Sequence, residues 1–438
     1  MANTYLTRTM GSATSRTKFT VSVWLKKSTI NSTDNDEKHF FNGFLSSNYR
    51  FMIYMTSSDQ LKIRNVDNNT ENVSYVSNAR YRDASSWYHV VVRIDSSQAG
   101  GNRIRAYVNG EQITSWASST EPNQGADFAL GTSSYTCNIG RYGGGAHYWN
   151  GGMSHYHYCD GQSYDASAFG STDSTTGEWK INTSPSVTYG NEGFFMFKDD
   201  NSLSDDSGNN NNFTLSGGTL TKTEDNPSNV FCTWNPNYRS RRKDMTLQNG
   251  NTFVFEQNSG DSGVSGTIAV SSGKWYWEQK IAQVNGTNAA VAGAMHSVED
   301  WNETPTEVYG NNNTFGIRSN GKAYKNGNDL GTVTAATYNN DVLGIAFDAD
   351  NGNMYLWRNG AAQNSGNAII TGIDMTKTWV PFGVQHGGAR VSTSTNFGNG
   401  YFQTTAVSSA GTNASNNGIF EYDVPSGYTA LSTKGLNL

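Results

Sequence analysis

The feature that most constrains this chain is a strict two-residue alternation. Phe19, Val21, Val23 and Leu25 alternate with Thr20, Ser22, Trp24 and Lys26, which is the period of a strand that buries one of its two faces. Stretches of this kind must pair into sheets and cover their apolar faces with another layer. The same rhythm returns in Tyr88, Val90, Val92 and Ile94, and again in Ile104, Ala106 and Val108, which close on Asn109-Gly110, a pair favoured in two-residue hairpin turns. Residues 342–347 form a nearly unbroken apolar run, expected of a central strand buried on both faces, and residues 354–357 lead into a second hairpin signal at Asn359-Gly360. No comparable stretch carries helical periodicity. The expected class is all-β.

Length sets the number of cores. The chain has 438 residues, more than one ordinary domain of about 100–200 residues. Gly, Asn, Ser and Thr are abundant, aromatic residues reach 12% and charged residues only 16%, a composition that fits sandwiches or barrels better than helical bundles or disordered tails. Strand patterning lapses between residues 217 and 252 into Gly-Gly, an Asp225-Asn226-Pro227 turn and a basic run at 239–243. We expect two antiparallel β-sandwich (jelly-roll) domains in tandem, residues 1–222 and 223–438, with the basic run as a solvated connector.

Charge and patterning exclude several functions. A formal net charge of -6 gives no general field for a phosphate backbone, so nucleic acid is not an expected partner. No apolar stretch reaches the roughly 18 residues of a membrane span, and residues 1–11 lack a basic region followed by an apolar one. Neither membrane insertion nor signal-directed export is expected. Cys137, Cys159 and Cys232 are too few and too scattered for a disulfide framework.

Five separated motifs in the second half occur in the order of the SPRY family: Ser272-Gly273-Lys274-Trp275-Tyr276-Trp277-Glu278, residues 341–348, residues 355–360, Asn396-Phe397-Gly398 and residues 425–431. That half resembles a SPRY domain. The first half is similar to laminin-G/concanavalin-A-like jelly rolls through residues 19–26, 87–94 and 103–110. Together with Thr4-Tyr5-Leu6-Thr7-Arg8, Cys159-Asp160-Gly161-Gln162 through Phe169-Gly170, and Asp205-Asp206-Ser207-Gly208-Asn209, the two halves resemble virion proteins of tailed bacteriophages of the marine type. The resemblance implies a tail fibre, spike or head-decorating adhesin. It would be made in the host cytoplasm, carried on the virion surface among other virion proteins as a homo-oligomer, and would engage a host-surface glycan or receptor. The jelly-roll pattern begins almost at Met1, so no long N-terminal anchoring module is expected.

Sandwiches of these kinds present ligands on the loops between strands. Residues 140–152 hold Tyr142, His147, Tyr148 and Trp149 among glycines; aromatic faces stack on sugar rings while Asn and Asp take hydroxyl hydrogen bonds. The same aromatics could instead pack on the sandwich edge or join subunits, which is the purely structural reading of the chain. In the second half the resemblance implies recognition loops around Trp301 and around Gln385, His386 and Arg390. Asp199, Asp200, Asp205 and Asp206 with Asn209 offer clustered oxygens for a structural calcium, although the same residues are ordinary turn formers; no other cofactor is expected. His155, His157 and Cys159 share one strand face, a geometry open to zinc or to histidines facing solvent or a neighbouring subunit while Tyr156 and Tyr158 face the core.

Enzyme signatures fail. Gly260-Asp261-Ser262-Gly263 resembles a serine-nucleophile loop without its histidine context, and residues 316–322 approach a phosphate-loop spacing but place Ala323 where a magnesium-binding hydroxyl is needed. The paired-carboxylate patterns of jelly-roll glucanases are absent, and Glu299, Asp300, Glu303 and Glu307 cluster around Trp301 in a loop rather than on a strand. A non-enzymatic protein is expected, with glycan degradation as the third reading after adhesion and assembly.

Overall fold

The computed structural model describes residues 3–30, 36–239, 245–256, 262–284, 290–298, 313–336, 340–385 and 391–437. The chain divides into two compact units, Met1–Lys222 and Thr223–Leu438. Among the described residues both are built from β-strands, with three short 3-10 turns and no α-helix. The strands pair antiparallel throughout, with one short parallel exception at the C-terminus of the second unit.

The first unit is a sandwich of an eight-stranded and a six-stranded sheet among the described residues. The six-stranded sheet centres on Lys18–Lys27, paired on one side with Gly151–Asp160 and on the other with Trp87–Asp95. The eight-stranded sheet runs through Trp116–Thr120, Thr70–Arg80, Gln60–Asp67, Tyr49–Met55, Lys38–Ser46, Thr136–Ile139, Tyr5–Thr9 and Thr214–Gly217. The core lies between them: Phe19, Val21, Val23 and Leu25 meet Phe41, Phe51, Ile53, Leu61 and Ile63. Their burial is the main drive for folding, at about 1.5–3 kcal/mol per large apolar side chain. The Asn109-Gly110 turn forms with both residues in the left-handed region (φ 49° and 84°), the geometry that matches hairpin twist.

Half-burial of Lys18–Lys27, as its alternation predicts, is not what the structure shows. Thr20, Ser22 and Trp24 are buried too, because the segment 161–193 folds back over the outer face of the six-stranded sheet, while Lys27 is buried through its ion pair with Asp59 at 2.6 Å. It contributes Tyr164, Ala166, Phe169, Trp179, Val187 and Tyr189, which pack on Val91, Tyr107 and Cys159. The polar alternate residues are therefore the floor of a second, smaller core. The expectation that His155 and His157 face solvent fails for the same reason. Tyr156 and Tyr158 do face the main core, but His157 and Cys159 are sealed under the cover at 1% and 0% exposure.

The second unit pairs a seven-stranded with an eight-stranded sheet among the described residues. Val342–Asp348 is buried along its whole length, as its unbroken apolar run requires. The core gathers Trp234, Trp277, Ile345, Phe347 and Phe397. The other face of Lys274–Val284 is covered by the C-terminal segment, through Phe420, Val424 and Ala430 against Tyr276 and Ala346.

Candidate functional site

The aromatic loop of the first unit lies on the outer face of the eight-stranded sheet. Strand alternation builds that face: Phe51, Ile53 and Met55 point into the core, so Arg50, Met52 and Tyr54 point away from it. A bulge between His39 and Phe41 lets Phe40 and Phe41 both enter the core while His39 turns outward. Across the strands His39 sits beside Tyr54, and Tyr54 beside Lys62.

The loop 140–150 is tied down onto this face. The Gly143 amide donates to Asn42 Oδ1 at 2.8 Å, and a Cβ at Gly143 would meet Phe44 at 2.3 Å, so only glycine permits the approach. Ala146 and His147 both hold positive φ (57° and 53°), a conformation that costs non-glycine residues on the order of 1–3 kcal/mol each and persists where surrounding contacts enforce it.

Tyr142 and His147 are brought together. Tyr142 is half-buried, its ring edge-on to Phe44 at 5.6 Å and 5.2 Å from His39, and its hydroxyl accepts from Arg50 at 2.8 Å. His147 lies 6.1 Å from Tyr142 and 5.9 Å from His39 between ring centroids, with Nδ1 2.9 Å from Asp36 Oδ1. His39 is stacked on Tyr54 at 4.3 Å and holds Glu37 through Nε2 at 3.1 Å. Burial is the largest influence on His39 and keeps it below the ordinary histidine range, against the opposing pull of Glu37. Its Nδ1 has no hydrogen-bond partner among the described residues.

Tyr148 separates from this pair: it packs on Tyr5 at 6.0 Å, and the Arg141 guanidinium lies 3.7 Å over the Tyr5 ring. Trp149 turns inward. It is only 8% exposed, edge-on to Phe40 at 5.7 Å, and belongs to the main core. Sequence proximity missed His39, Arg50 and Tyr54, which reach the loop only through sheet register. The signal for them was present in the Arg50, Met52, Tyr54 alternation.

Asp205 anchors a turn. Its Oδ1 accepts the Phe195 and Ser207 amides at 2.8 and 2.9 Å, and its Oδ2 accepts the Ser207 hydroxyl at 2.7 Å and the Asn211 amide at 2.9 Å. Asp199 and Asp200 are exposed. Partial burial, the largest cause, and the carboxylates of Asp200, Asp199 and Asp205 hold Asp206 above the usual range, against Lys198. Among the described residues no group of three or more His, Cys, Asp or Glu is arranged to hold a metal ion. This statement covers the four aspartates and the His155, His157 and Cys159 trio.

In the second unit Trp301, His386 and Arg390, with Glu299, Asp300, Glu303 and Glu307, lie outside the described residues. A buried carboxyl there with strongly perturbed chemistry is Glu278, fully buried beneath the C-terminal segment. Burial, the dominant cause, lifts its pKa to about 7. The Glu421 and Tyr422 amides at 2.8 and 2.9 Å and the Asn396 amide at 3.2 Å work in the opposite direction. Between about pH 4.5 and 7 the folded chain holds this proton and the unfolded chain does not. Stability from this group therefore falls as pH rises through that window, by about 3 kcal/mol in all. Glu278→Gln is expected to flatten the fall; urea titrations of both proteins between pH 4.5 and 7 check it, and parallel pH slopes would contradict it.

The family profile described as the concanavalin A-like lectin/glucanases superfamily (Laminin_G_3) matches residues 1–161. No curated protein sequence matches the chain. Similar solved structures include the SPRY domain of human HERC1, at 14% identity over 37% of this chain and 96% of that one, with a TM-score of 0.32. A native heptameric SAP-like pentraxin from Limulus polyphemus is 18% identical over 37% of this chain and 72% of its own, with a TM-score of 0.27. The TRIM65 PSpry domain is 15% identical over 37% of this chain and 88% of its own, with a TM-score of 0.29.

Proposed function

We propose that this chain is a non-enzymatic display protein on the surface of a tailed bacteriophage particle, and that its first unit binds carbohydrate on the host. One observation carries the reading: a strained loop holds Tyr142 and His147 half-exposed on a rigid sheet face, with the Asp36 carboxylate and the Arg50 guanidinium beside them. Flat rings with fixed polar neighbours suit sugars, which offer an apolar ring face and a rim of hydroxyls. The similarity of residues 1–161 to the lectin/glucanase superfamily supports ligand binding of this general kind. The virion setting rests on the motif resemblance at residues 4–8, 159–170 and 205–209. In that setting many symmetric copies beside other virion proteins turn weak single sites into avid attachment.

Antibodies raised against residues 140–150 test this reading on intact phage particles that carry the chain. The expected result is labelling of the particle surface and blocked adsorption to host cells. An epitope that becomes reachable only after particles are disrupted would mean an assembly role instead.

A further inference from the structure

The charges around Tyr142 narrow the ligand beyond carbohydrate in general. Most charged groups on this face are already matched. Lys38 pairs with Asp36, which also holds His147; Arg64 pairs with Glu71, and Glu37 holds His39. Among the described residues three cations of this face are left over. Arg50 donates to the neutral Tyr142 hydroxyl, Arg141 lies on the Tyr5 ring, and Lys62 stands 6.0 Å over the Tyr54 ring. None of the three is ion-paired with a carboxylate among the described residues, and the Nε atoms of Arg50 and Arg141 are buried there without a hydrogen-bond partner. Unmatched guanidinium groups stand out in a chain whose net charge is -6.

Guanidinium groups favour carboxylate and sulfate because their planar donors fit two oxygens at once. Rings held beneath them supply the stacking surface for a sugar. We infer that the ligand of this site is an anionic saccharide chain, with one acidic group held by Arg50 beside Tyr142 and another by Arg141 beside Tyr5 and Tyr148. The inference rests on the carbohydrate reading above and names the class of sugar.

The test uses the full chain and matched probes: oligogalacturonate against its carboxyl-reduced form, and a sulfated galactan oligosaccharide against its desulfated form. We expect each acidic probe to bind at least about 10-fold more tightly than its neutral partner, with the preference shrinking as salt rises. Arg50→Met and Arg141→Met should each cut the preference about 5-fold or more. Arg50→Lys, which keeps the charge but not the planar pair of donors, should keep only part of it, and Lys434→Met, in the second unit, should leave it unchanged. A preference for carboxylate alone or for sulfate alone supports the inference and identifies the acidic group. Equal binding of acidic and neutral partners overturns the inference while leaving the carbohydrate reading intact; absence of binding to all four probes overturns both. The salt titration on the unaltered chain needs no variant to fold.

Discussion

Acidification from pH 6.5 to about 4.5 is expected to strip the 161–193 cover from the first unit and then melt the unit. Two buried histidines, His89 and His157, touch the cover, and a third, His155, is buried beside the neighbouring strand Phe194–Met196. His89 Nδ1 accepts the indole N–H of Trp179 at 3.0 Å, so its own proton sits on Nε2, 2.9 Å from Ser22 Oγ. His89 also stacks on Trp24 at 4.8 Å. His157 Nδ1 lies 2.9 Å from the Tyr189 hydroxyl, with its ring on Phe195 at 4.0 Å. His155 packs beside Phe195 and contacts Ser154. Burial, the largest cause for each, holds His89 down at about 3 and His155 at about 4, and pushes His157 well below the ordinary range. The neighbouring histidines push His89 and His157 further down, and Asp199 pulls His155 the other way.

Between about pH 4 and 6.5 the unfolded chain therefore binds protons that the folded chain refuses, and stability is lost on acidification. Each histidine contributes about 1.4 kcal/mol per pH unit, so the three together approach 4 kcal/mol per unit. Against the 5–15 kcal/mol of a typical domain, about two pH units are enough to matter. The second unit responds less, because buried His296, held at about 4 mainly by burial, and Glu278 have opposite slopes across most of this window. The cysteines report the order of events. Cys159 is buried under the cover and Cys137 in the main core. A dithiodipyridine probe that reacts at acid pH should label Cys159 before Cys137 as pH falls. Equal labelling rates at every pH, or no change down to pH 4.5, would contradict the account.

Trp149→Ala is expected to destabilise the first unit by about 3–5 kcal/mol, the usual result of emptying a buried aromatic site. Trp149 packs on Phe40 within the main core and is all but closed to solvent. Tyr142→Ala, at a half-buried ring on the outer face, should cost far less stability. Denaturant unfolding of both variants checks the contrast. Equal losses would mean that the loop packs as one block and that the two aromatics have one role.

Much of the architecture could be read from residue order, since alternation marks which side of each strand meets the core. Phe19, Val21, Val23 and Leu25 face the core and the two Asn-Gly turns hold positive φ, as their local chemistry demands. The cover escaped because residues 161–193 are loop-rich and carry no period, so nothing in Thr20, Ser22 or His157 announces a second layer above them. The candidate site was half legible. An aromatic loop in a glycine-rich setting suggests stacking, but composition cannot tell Tyr142, held against the sheet, from Trp149, turned into the core. His39 and Arg50 join the site through strand register, a long-range property that neighbouring residues do not encode. Glu278 sits in a run that reads as an ordinary strand; only the C-terminal segment laid over it makes it a buried carboxyl.

The central claim is that the outer face around Tyr142 holds sugar. Its most direct test is calorimetric titration of the folded chain and of Tyr142→Ala with glycans released from the host surface. The account predicts saturable binding by the unaltered chain and a loss of at least about 10-fold in affinity for Tyr142→Ala, far more than its small loss of stability explains. Saturable binding that Tyr142→Ala leaves untouched, or none by either protein, would contradict it.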